Sequence, residues 1–124
     1  AHSSREKIRA AASLIRAPKD IGDAELAQIA NHVLSGYERL VVNAPKKRLQ
    51  RTEYIVEGNT VEKVVREWDE FQAATIEKAE DGKYYIYYNE ILFFHRGPHT
   101  VPTGKWVRGQ RFRSSPILKE NIHS

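Results

Sequence analysis

The segment from His95 to Ser115, His-Arg-Gly-Pro-His-Thr-Val-Pro-Thr-Gly-Lys-Trp-Val-Arg-Gly-Gln-Arg-Phe-Arg-Ser-Ser, gathers the side-chain types needed to cut a phosphodiester beside a 2′-hydroxyl. Of two imidazoles, His95 and His99, one can take the hydroxyl proton while the other protonates the leaving oxygen, because histidine titrates near neutral pH. Lysine and arginine donors stabilise the extra negative charge of the phosphorane-like transition state. Trp106 or Phe112 offers a face on which a base can stack. None of this chemistry needs a metal. A plainer reading stands beside it: His95 closes an apolar strand and fits a half-buried residue with one satisfied nitrogen, and His99 fits a solvated loop.

Other chemistries find less support. His95 and His99 have the i, i+4 spacing of a zinc-binding helix, but Gly97-Pro98 between them breaks a helix and no glutamate follows His95. The chain has no GxGxxG, no Walker loop and no GxSxG, so neither a metal nor a cofactor is expected. It has no cysteine, which excludes a disulfide framework, a zinc-thiolate site and a cysteine nucleophile together.

Charge points the same way as the His95–Ser115 segment. Of the 124 residues 40% are hydrophobic and 29% charged, an ordinary globular balance, and the net charge is +4. Residues 1–80 carry 13 basic and 13 acidic side chains, whereas residues 81–124 carry 7 and 3, so the second part holds the whole excess. Arg96, Lys105, Arg108, Arg111 and Arg113 follow one another with no acid between them. Such a one-signed field steers a polyanion and holds its phosphates. Lys46, Lys47, Arg48 and Arg51 form a second basic run, either a further phosphate contact or a solvated loop.

The elements that must position these residues are read from periodicity. Ser3 and Glu6 stand in capping-box register before Ile8, Ala11, Ala12 and Ile15, and Pro18 stops that helix. Asp23 precedes a second periodic set, Leu26, Ile29, Ala30, Val33, Leu34 and Tyr37, with Leu40 and Val41 continuing the stripe until Pro45. Thr52–Val56 suits a short strand and Glu57-Gly58-Asn59 a turn. Val61, Val64, Val65, Trp68, Phe71 and Ile76 predict a third helix, ended by Asp81-Gly82, whose acids Glu62, Glu67, Asp69, Glu70 and Glu77 form a solvated face. Lys83–Tyr88 and Ile91–His95 predict a hairpin across Asn89-Glu90, with one or two short strands following around Gly104 and Gly109. The expectation is a single α+β domain: a helical part over 1–45, a basic loop and short strand over 46–58, a helix over 60–80, and a small antiparallel sheet over 83–115 bearing the site.

Helix three (Val61–Ala79), the strands of Lys83–His95 and Lys105-Trp106 together resemble the metal-independent ribonuclease domains of bacterial toxins, the group containing colicin D and the RelE-type toxins. That resemblance implies His95 or His99 as general acid and base, Lys105 and Arg111 as transition-state donors, and Thr103 or Ser114 as a supporting hydroxyl. It also implies tRNA or another structured RNA as substrate, and an acidic immunity protein or antitoxin as partner. Such domains act in the cytoplasm, delivered from outside as part of a larger toxin. The absence of any methionine, position 1 included, predicts a fragment or processed product of something longer.

Two further readings follow from the same residues. A non-enzymatic nucleic-acid-binding protein, such as a phage or plasmid accessory protein, would set Lys46, Lys47, Arg48, Arg51, Arg96, Lys105, Arg108, Arg111 and Arg113 on phosphates, with Trp106 and the tyrosines as stacking surfaces. A partner-binding domain would present the basic face to an acidic protein. No apolar run approaches the ~20 residues of a membrane-spanning helix, so a soluble protein is expected.

Overall fold

Asp23 starts the first regular element among the described residues by accepting a hydrogen bond on its side chain from the Leu26 amide at 3.0 Å. The helix it caps, α1, spans Ala24–Val33 in a computed structural model that describes residues 13–124. Strands β1 (Arg39–Glu57), β2 (Thr60–Lys78), β3 (Tyr84–Arg96) and β4 (Trp106–Ile117) follow, then a short 3-10 turn at Lys119–Asn121. Each strand pairs antiparallel with the next, in the order β1-β2-β3-β4. Of the first expected helix, residues 3–12 lie outside the described residues.

Three helices followed by a small sheet are therefore not the architecture: the described chain is mostly sheet, with one α-helix. The correction rests on three segments. Leu40 and Val41 belong to β1, and so does the basic run Lys46–Arg51, expected in a loop. Pro45, which has no N–H to give, sits in an irregularity of the ladder between Val42 and Lys47 on what is an edge strand. The helix expected over 60–80 is β2. Its apolar spacing mimics a helix, but the residues that set that spacing, Val61, Val64, Val65, Trp68, Phe71 and Ile76, are all β-branched or aromatic, and its Phe71–Ile76 run is covered on both faces, as a central strand's is.

The third correction falls on Asn89-Glu90, expected to turn the chain. Asn89 instead lies in the middle of β3 with no exposure, its amide donating to the Ala73 carbonyl at 3.2 Å and the Thr75 hydroxyl at 3.0 Å. The sheet turns where glycine permits positive φ, at Gly58 (+57°) and Gly82 (+80°).

Two clusters hold the sheet. On one face Leu26 and Ala30 of α1, with Leu34 at its C-terminal cap, cover Val42, Phe71, Ala73 and Ile91. On the other, Ile122 and the partly buried Ile15 and Ala17 close over Ala74, Ile76, Ile86 and Ile117. Pairing between β2 and β3 begins at Glu67–Arg96, so residues 51–57 and 60–66 project beyond the third strand as a two-stranded arm. Tyr54, Val56 and Val61 are exposed on it.

Candidate nucleic-acid interface

Equal counting outward from the Gly58-Asn59 turn sets Lys47 opposite Glu70 and Arg48 opposite Asp69. Three of the acids expected on a solvated helix face, Glu67, Asp69 and Glu70, are thus partners of the basic run. Lys47 reaches Glu70 at 3.8 Å, Arg51 reaches Glu53 at 2.6 Å, and Arg48 bonds Asp69 and lies 3.5 Å from Glu67. Of this run, Lys46 alone has no acid among the described residues.

Asp69 is the centre of this end of the sheet. It is 7% exposed, and its Oδ2 lies 2.9 Å from His95 Nε2 while Arg48 holds Oδ1. The Arg48 hydrogen bond, then that of His95, holds the Asp69 carboxyl below the usual carboxylate range against the opposing effect of burial. Arg48 is pushed up by the same bond. One carboxylate thereby ties β1, β2 and β3 and fixes the imidazole's Nε2, leaving Nδ1 free for a proton. The His95 ring stands 4.9 Å from Phe93, and Phe93 stands 5.3 Å from Trp106.

The loop from Gly97 folds back on the end of β3. Thr103 bridges to Phe94, and the Gly104 amide donates to the Phe94 carbonyl at 3.0 Å. Thr103 and Lys105 therefore share the sheet end with His95, and His99 is exposed in the loop between them. Lys105 and Arg108 are exposed with no acidic partner among the described residues. Arg96 is 3.8 Å from Glu67. Trp106, expected to stack a base, is half-buried against Phe71 at 5.5 Å and the cluster beneath α1, so it serves packing.

Arg111 and Ser114 lie elsewhere. Arg111 pairs with Asn89, six residues along β3 from His95, or roughly 20 Å at strand rise. Its guanidinium donates to Glu77 at 2.5 and 3.1 Å and lies 4.0 Å over the Tyr87 ring. Arg113 covers Tyr85 at 4.3 Å, and Ser114 follows in an irregularity of the ladder. Lys78, Ala79, Glu80, Asp81, Tyr87 and Arg113 border a depression of about 510 Å³ at this end. The six residues expected to catalyse thus divide, with His95, Thr103 and Lys105 at one end, His99 in the loop, and Arg111 and Ser114 at the other.

Asp69, Glu67 and Glu77 were missed as site residues. The signal that finds the first two is the opposition of a basic and an acidic run about Gly58-Asn59, legible once 60–78 is taken as a strand. Among the described residues no three His, Asp or Glu side chains are grouped as a metal would require. None of the helices is long and apolar enough to cross a membrane, a statement confined to helices of the described residues. No protein-family model matches the sequence, and neither a curated protein nor a solved structure matches it. The Val61–Ala79 element, part of the basis for the toxin resemblance, is a strand.

Proposed function

We propose that this chain acts on RNA at the end of the sheet where β3 meets β4, as a metal-independent ribonuclease with His95 as its proton-transfer group. The observation that supports this reading is the 2.9 Å contact between His95 Nε2 and buried Asp69, at the sheet end that also carries exposed Lys105, with Arg108 farther along the sheet opposite Ile91 and neither cation paired with an acid among the described residues. An imidazole oriented by a carboxylate can take a proton on its other nitrogen, and the carboxylate then stabilises the imidazolium. In the reaction, Nδ1 takes the 2′-hydroxyl proton and the 2′-oxygen bonds to phosphorus. The bond from phosphorus to the 5′-oxygen breaks, and that oxygen takes a proton from His99 or water, leaving a 2′,3′-cyclic phosphate and a 5′-hydroxyl. Lys105 and Arg108 offset the charge gathering on the phosphoryl oxygens.

The test is incubation with total RNA and purified tRNA in EDTA, comparing wild type with His95→Ala and His99→Ala. The reading expects discrete fragments that vanish in His95→Ala while binding persists. Intact RNA in every lane removes it.

A second reading, binding without cleavage, is favoured by the commitment of Arg111 to Glu77 and the remoteness of Ser114. It expects a salt-sensitive gel shift that His95→Ala leaves nearly unchanged.

A further inference from the structure

The register between β3 and β4 places the arginines in an order their sequence spacing hides. Arg108 pairs with Ile91, Arg111 with Asn89 and Arg113 with Tyr87, so one extra residue of β4 is accommodated between Arg108 and Arg111. Although three apart in sequence, these two share a face, with Arg113 beyond them. The contacts agree, since Arg111 and Arg113 lie over Tyr87 and Tyr85 of that same face. Each step equals two residues of β3, about 7 Å, so Arg108 and Arg113 stand about 13 Å apart. Gly109 sits in the irregularity, where an added Cβ would stand 2.3 Å from Glu90 Oε1 and 2.9 Å from Leu92 Cδ1.

Phe112 belongs to the opposite face. It is 56% exposed and stacks on Tyr88 with centroids 5.3 Å apart, leaving the outer side of its ring open. β4 is the sheet's edge, so nothing in the described chain pairs with its outer side. Residues 91–119 contain no acid.

We infer that the nucleic acid taken by this surface is an extended single strand running along β4, with phosphates on Arg108 and Arg113 and a base stacked on Phe112. This rests on the RNA reading above and replaces structured RNA with unpaired RNA as the substrate class. Phosphates on one face of an edge strand and a base on the other require a backbone whose bases are free to turn over the edge. A duplex, whose bases are stacked and paired inside, cannot straddle β4 in this way. Backbone tracking by cations with stacking on aromatics is the general mode of single-strand binding. Arg111, held by Glu77 through both terminal nitrogens, has its charge offset by that carboxylate and contributes less than its neighbours.

The test is fluorescence anisotropy with a 12-nucleotide oligouridylate and a 12-base-pair RNA duplex, from 50 to 200 mM salt. The single strand is expected to bind more tightly, with a slope of log affinity against log salt of about −2 for phosphates on Lys105, Arg108 and Arg113 at ~0.7 each. Phe112→Ala should weaken it about tenfold with the slope unchanged. Arg113→Gln should flatten the slope by about 0.7. Circular dichroism of both variants, which alter exposed side chains, verifies the fold. Equal binding of duplex and single strand, or unchanged affinity and slope in both variants, overturns the β4 track while leaving the RNA reading standing. Absence of any binding at low salt overturns both. Binding with these signatures but no cleavage retains the track and removes only the ribonuclease.

Discussion

Asp69 is a charged group almost wholly out of water, and a buried carboxylate persists only where its partners replace the lost hydration. Arg48 and His95 do so from two neighbouring strands. Asp69→Asn keeps the shape but removes the charge, and should cost about 1–3 kcal/mol. The sign of its pH dependence follows from the direction of the shift. Because the folded-state carboxyl sits below its ordinary value, the unfolded chain takes up the proton first. The contribution is therefore complete above the usual carboxylate range and lost as pH falls through it. Thermal melts of wild type and Asp69→Asn should differ most near pH 7 and converge toward pH 3. A gap that persists at low pH would assign the loss to packing instead.

Among elements, the start of α1 and the Gly58 turn were legible in the sequence, whereas the helix was carried past Val33 toward Pro45, Gly82 was read as a helix stop, and β2 was not seen as a strand. Asp23 followed by Leu26, Ile29, Ala30 and Val33 carries both cap and period, and the structure uses both. Asp23→Ala should cost about 1 kcal/mol in a denaturant melt through the orphaned first-turn amide. β2 misleads because apolar residues destined for two different faces fall by coincidence at helical intervals. Phe71 lies under α1, whereas Ile76 lies under Ile122. Burial on both faces erases the alternation that betrays a strand. Asn89 misleads for a related reason: its polarity signals a turn, but its side chain is buried in the sheet with Nδ2 donating to Ala73 and Thr75. Of the candidate site, His95, Lys105 and Arg108 were found, but pairing about the Gly58-Asn59 turn is a long-range property that composition does not show. The same pairing leaves the arm without a third strand. A two-stranded ribbon is marginal on its own, so amides of 51–57 and 60–66 should exchange with solvent well before those of Phe71–Ile76. Equal protection would mean that the arm is supported elsewhere.

Across the whole molecule, the sequence contains two basic groups of different standing. Lys47 and Arg48 of β1 meet acids on β2 and Arg51 meets Glu53 of its own strand, whereas on β4 Arg111, with Glu77, is the one arginine in an ion pair among the described residues. A cation whose field is cancelled by a neighbouring carboxylate releases few counterions when a polyanion arrives, so it adds little to affinity or salt dependence. The nucleic-acid footprint should therefore follow pairing, and not basic residue density, even though four of the six residues from Lys46 to Arg51 are basic. Lys47→Gln and Arg51→Gln are expected to leave oligouridylate affinity within about twofold and the salt slope unchanged. Each also breaks only a solvent-exposed pair, at a cost of about 0–1 kcal/mol. Lys105→Gln and Arg108→Gln should instead each flatten the slope by about 0.7. Measuring all four in one anisotropy series separates the possibilities. Equal losses in both groups would extend the footprint across the sheet to β1 and require the Lys47–Glu70 and Arg51–Glu53 pairs to open on binding. Loss confined to Lys105 and Arg108 would place the polyanion along β4 and the residues that lead into it, where the scarcity of acidic neighbours leaves the field standing.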